Sequence, residues 1–223
     1  MVPQWAEWLF LFAAFWTLLF LRLASRSRLV MMSVLLWGGL HLWLVSRDFY
    51  AIHDSIPPRP LFMLGPAVLS VTVLLIVPRS RAWMRTLDLR LLAMIHVARI
   101  PVEIVLHQAA LSGSVPVMMT WSGTNMDIFS GVSAAFIVAY LTAVKKPSRA
   151  LLIAWNIACL LLLVNVVTTA ILSLPSSIQV LNFDQPNRLV LGEPYVLLPA
   201  VIVPVVLWAH AAALARLFGP RTT

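Results

Sequence analysis

LLAMIHVARIPVEIVLHQAALS, residues 91–112, is an apolar run in which Arg99 and Glu103 carry the only full charges. A bilayer's hydrocarbon core is about 30 Å thick, and a helix rising about 1.5 Å per residue needs roughly 20 mostly apolar residues to cross it. The run therefore reads as a transmembrane helix. Six further stretches satisfy the same requirement, at 5–21, 29–46, 61–78, 128–143, 150–173 and 195–217. The longest connection, Leu174 to Pro194, leaves no room for an extramembrane domain. The expected fold class is an all-α membrane protein: a seven-transmembrane-helix bundle in which residues 1–223 form one integral membrane domain.

Composition points the same way. Of 223 residues, 61% are hydrophobic and 11% charged, and the mean hydropathy is +0.93. A soluble domain carries about 25% charged residues because its surface must be wetted, and disordered chains are poor in apolar residues. Both classes are excluded. The single cysteine, Cys159, permits no intramolecular disulfide.

Short cytoplasmic loops hold an excess of Lys and Arg, which sets orientation. Arg22, Arg26 and Arg28 follow the first span, Arg79, Arg81, Arg85 and Arg90 the third, Lys145, Lys146 and Arg149 the fifth, and Arg216 and Arg221 end the chain. Twelve of the sixteen basic residues thus fall on alternate connections. The other face holds Glu7, Asp48, Asp54, Asp127, Asp184 and Glu193 against Arg47, Arg59 and Arg188. The N-terminus is expected outside and the C-terminus in the cytoplasm. The formal charge of +8 then belongs to loops facing anionic lipid, and no nucleic acid partner is implied. Trp5, Trp8, Trp43, Tyr50, Trp121 and Tyr195 fall near the outer boundary and Trp83 near the inner, as an aromatic belt. Glu7 in place of a basic leading region, and the arginines behind the first span, mark a retained helix rather than a signal peptide. Pro66, Pro199 and Pro204 are expected to kink the third and seventh spans.

Within 91–112, His96, Arg99, Glu103 and His107 stand at offsets of 0, 3, 7 and 11, which at about 100° per residue fall at roughly 0, −60, −20 and +20 degrees. One narrow face of the helix is polar. Charged groups at mid-bilayer cost a few kcal/mol each, so they turn inward and find partners. The simplest account is an Arg99–Glu103 ion pair at i, i+4, which leaves both histidines without a role. The functional account is a polar cavity open to the outer side, in which Glu103 is protonatable and Arg99 is its partner or holds an anionic group.

Two cofactor readings compete. On the same helical rise, His41 and His107 lie about 9 Å from the outer ends of their spans, and His210 and His96 about 24 and 26 Å. Histidines paired at two depths match what bis-histidine b-type haem requires, with Gly38 and Gly39 leaving room for the macrocycle. Alternatively, His53, Asp54, His107 and Asp127 gather a divalent metal such as zinc near the outer surface and support metal-dependent hydrolysis. Against that, Asp127 is well placed as an N-cap of the fifth span and Asp184-Gln185-Pro186-Asn187 is turn chemistry. Asn156, Asn165, Thr168 and Thr169 read as interhelical glue. No zinc-protease, nucleophile-elbow or phosphate-loop pattern is present, and no lysine lies within the last span, so retinal is excluded.

The strings running from Arg99-Ile100-Pro101-Val102-Glu103 to His107, Thr124-Asn125-Met126-Asp127-Ile128 and Phe183-Asp184-Gln185-Pro186-Asn187 resemble a group of uncharacterised bacterial multi-pass membrane proteins. The resemblance covers the second half of the chain and implies a bacterial inner-membrane setting, with no activity attached. The expected function is movement of a small polar solute or proton across the bilayer, with a haem redox protein, a metal-dependent intramembrane enzyme and a non-catalytic membrane subunit as the alternatives.

Overall fold

A computed structural model describes residues 2–219, so the expected inner residue Arg221 lies outside the described residues. The described residues are helical, without strands: α1 (Gln4–Ser25), α2 (Arg28–Val45), α3 (Leu61–Ile76), α4 (Pro78–Met84), α5 (Leu89–His96), α6 (Arg99–Leu111), α7 (Ile128–Ala143), α8 (Arg149–Leu172) and α9 (Val203–Leu217). α1, α2, α8 and the stretch Leu198–Leu217 are each long and apolar enough to cross a membrane. A fifth such unit exists if α3 and α4 count together.

Local chemistry explains the boundaries. Ser27 and Ser148 cap α2 and α8 by accepting from Val30 N–H and Leu151 N–H. Asp88 caps α5 through Arg90 N–H at 2.8 Å and also binds the Arg90 side chain, which holds its carboxyl below the usual range. α3 stops because Pro78 drives Val77 into extended backbone (ψ 119°), and α4 leaves at 91° with Pro78 at its first position. Pro66 is accommodated inside α3. Pro199 lies in a π-helical turn, Leu198–Ile202, that leads into α9.

The expected single helix over 91–112 is a correction. It is broken at Val97–Ala98 into α5 and α6. Pro101 has no N–H to give the Val97 carbonyl, and its ring crowds that carbonyl, so the chain closes a tighter turn in which Ile100 N–H donates to Val97 at 3.1 Å. Trp16 of α1 donates to the Met94 carbonyl at 2.8 Å, across the bundle, where the helix loosens. α6 ends in a Schellman turn: Gly113 (φ 76°) donates to Ala110, and Ser114 N–H to Ala109.

α9 is the most enclosed of the long helices, packed on α3, α5 and α8, while α1 crosses α5 and α6 and α7 packs along α5. α2 and α8 turn most of their surface outward, with Leu35, Leu36, Leu161 and Val164 exposed as a lipid-facing side chain would be. Gly131 of α7 permits a close approach to α6: a Cβ there would sit 2.9 Å from the Ile100 backbone nitrogen and 2.8 Å from its side chain. That contact brings the first turn of α7 against the first turn of α6.

Candidate functional site

The break between α5 and α6 places Arg99 on the first turn of α6, pointing across to the start of α7. Arg99 Nε meets Asp127 Oδ2 at 2.8 Å, and both residues are buried. Its Nη1 and Nη2 reach the Cys159 carbonyl on α8 at 3.5 and 3.4 Å, and Nη1 lies 3.4 Å from His210 Nε2 on α9. Asp127 stands at the N-cap position of α7, as its place before the fifth span foreshadowed. Its side chain does not cap the backbone; Oδ1 instead accepts from Ser130 Oγ at 3.1 Å. A carboxylate at a helix N-terminus also meets the positive end of the helix dipole.

Glu103, one turn further along α6, is not the partner of Arg99: no pairing within 4.0 Å joins them. The Asn125 amide takes Glu103 instead, Nδ2 lying 2.9 and 2.8 Å from its two carboxylate oxygens, while Asn125 Oδ1 accepts from Asp127 N–H. One short loop between α6 and α7 thus supplies the partner of each charged residue on α6. Gly123 allows the loop to fold, since a Cβ there would fall 2.5 Å from the Val117 carbonyl.

His96 and His210 are buried and stack with ring centroids 4.0 Å apart. The partners of His210 assign its tautomer. Asn156 Nδ2 donates to Leu152, so Asn156 Oδ1 accepts from His210 Nδ1 at 3.0 Å, and His210 Nε2 is left to accept from Arg99. Both nitrogens of His96 are without a partner among the described residues.

The matched depth of His96 and His210 is real contact, yet it does not suit haem. Two imidazoles stacked face to face at 4.0 Å leave no gap for an iron and its macrocycle between them. The second pair does not meet at all. His41 Nδ1 is hydrogen-bonded to the hydroxyl of Tyr50, a phenol that burial pushes above its ordinary range. His107 stacks on Trp121 at 4.3 Å. Gly38 admits Val201 and Leu197 side chains, and Gly39 faces open space. The outer metal set disperses as well: Asp127 is engaged by Arg99, His107 by Trp121, and His53 and Asp54 are exposed on a loop. Among the described residues no three His, Cys, Asp or Glu converge on a metal position.

Arg99, Glu103 and Asp127 line a cavity of about 90 Å³ between α3, α6, α8 and α9. A water needs about 10–15 Å³ of such space, so several fit. Its other walls are aliphatic, except for Asn187 from the connection after α8. That connection is pinned over the cavity: Gln185 donates to the Ala110 and Val115 carbonyls at 2.9 and 2.6 Å, Asn187 N–H to Ser173, and Arg188 and Leu189 N–H to Ser114. Asn125, Asn187 and Gln185 were not among the residues expected to form the site. The asparagines sit in two of the three strings that carried the family resemblance, which was the available signal.

Helices long and apolar enough to cross a membrane, closed around an ion pair and a separate carboxylate, define a helical membrane-type protein with an internal polar site. Residues 56–218 match a family described as a domain of unknown function (DUF8737), and the chain belongs to that family. The match takes in every residue of the cavity's polar wall. No curated protein and no solved structure matches the chain.

Proposed function

We propose that this protein is a seven-span transporter of the bacterial inner membrane, N-terminus outside and C-terminus cytoplasmic, in which Glu103 loads and releases a proton or small cation. The lone position of Glu103 carries this reading. Arg99 is committed to Asp127, so the second buried carboxylate has only amide donors around it. A buried charge without a counter-charge is costly, and the cluster is neutral only when Glu103 holds a proton or a bound cation. Polar groups also continue inward from the cavity. Arg99 contacts His210, His210 stacks on His96, and the unpartnered His96 ring borders a small void of about 10 Å³ shared with Leu89 and Leu217 near the inner end of the bundle. Imidazoles in series are suited to relaying protons.

The test is proton flux in proteoliposomes enclosing a pH-sensitive dye, driven by a potassium diffusion potential. Wild-type protein is expected to acidify or alkalinise the lumen faster than empty liposomes, and Glu103→Gln, which keeps the side chain's shape and one acceptor oxygen for Asn125, is expected to fall to the empty-liposome rate. Flux unchanged in a folded Glu103→Gln protein would overturn the role.

A further inference from the structure

The cavity that holds Glu103 has acceptors to spare, and its cationic group, the Arg99 guanidinium, is already paired with Asp127 at 2.8 Å. The guanidinium of Arg99 is turned to Asp127, the Cys159 carbonyl and His210. Asn187 is buried, and its Oδ1 has no donor among the described residues. The orientation of that amide is set by its other atom: Nδ2 faces the Ala170 carbonyl at 3.4 Å, and an exchange of the two atoms would oppose two acceptors. What the cavity offers beyond the Arg99–Asp127 pair is therefore the Glu103 carboxylate and the Asn187 amide oxygen. The remaining wall is apolar, and it extends along α8 from Leu163 to Ile171, about 12 Å at the helical rise. α3 and α8 each supply wall residues and are not packed tightly against one another, which leaves a seam between them.

We infer that this cavity binds a lipophilic amine, an apolar chain with an ammonium head, which enters from the bilayer between α3 and α8 and sets its N–H groups on Glu103 and Asn187. This rests on the reading of Glu103 as the loading group, and names what it loads. An ammonium has donors and no acceptor, which complements the two free acceptors, and its charge balances the one carboxylate that Arg99 leaves uncompensated. Charge is conserved on exchange: protonated Glu103 releases one proton as one ammonium enters, so amine and proton counter one another one for one.

The experiment is saturation binding of radiolabelled dodecylamine to the full chain in phosphatidylcholine nanodiscs, with empty nanodiscs subtracted. Saturable one-site binding is expected. Dodecanoate is expected not to compete, and dodecyltrimethylammonium, a cation without N–H groups, to compete roughly tenfold more weakly than dodecylamine itself, as loss of charged hydrogen bonds implies. Glu103→Gln and Asn187→Leu are each expected to weaken binding roughly tenfold. Competition by dodecanoate, or wild-type affinity in both variants, overturns the inference. Wild-type protein that conducts protons but shows no saturable amine binding overturns it while leaving the proton role of Glu103 in place; amine binding without proton flux does the reverse.

Discussion

At the scale of single residues, the cluster around Arg99 is a matter of which carboxylate it holds. A buried guanidinium and carboxylate at 2.8 Å compensate each other, whereas removing one strands the other. Asp127→Asn is expected to destabilise the protein by about 3–5 kcal/mol, and the apolar double replacement Arg99→Leu with Asp127→Leu by much less. Thermal unfolding in detergent, run as a double-mutant cycle, checks this; a double replacement as damaging as Asp127→Asn would contradict it. The chain revealed that Arg99 and Glu103 lie buried on one face, because periodicity reports direction around a helix. It did not reveal their partners. The i, i+4 spacing made Glu103 the natural mate of Arg99, but Asn125 and Asp127 come from a loop that only folding brings near, and a carboxylate just ahead of an apolar run looks like a cap.

At the scale of elements, two contacts shape the site. Pro101 breaks the apolar segment 91–112, so Arg99 begins a helix rather than riding in the middle of one. Gly131 then lets α7 close on that first turn. Gly131→Ala would press a methyl group against the Ile100 backbone, which cannot swing aside as a flexible side chain can, and is expected to cost about 1–3 kcal/mol by overpacking. Lower thermal stability together with loss of proton flux is the expected result, while a variant as stable as wild type would show that α6 and α7 sit further apart. Pro101 was in view in the sequence. Hydropathy averages are blind to a missing backbone donor, however, so the segment read as continuous.

Across the whole molecule, the proposed orientation, read from the arginine and lysine bias, has Lys145 and Lys146 inside and His53 outside. Cys159 is the sole cysteine and is buried, so single reporter cysteines are feasible without removing others. In intact cells, a membrane-impermeant maleimide is expected to label His53→Cys readily and Lys146→Cys only after permeabilisation; the opposite pattern would invert the proposed orientation. The sequence by itself determined the helical class, the apolar segments and the inward turn of His96, Arg99 and Glu103, since these depend on composition and local periodicity, which the chain carries linearly. Only the tertiary structure decided that Arg99 pairs with Asp127, that Glu103 stands apart beside Asn125, and that His96 and His210 stack instead of flanking a metal. Those outcomes depend on side chains far apart in the chain meeting at distances of a few ångströms, and such meetings are set by helix breaks, close glycine contacts and loop closure that no single segment encodes.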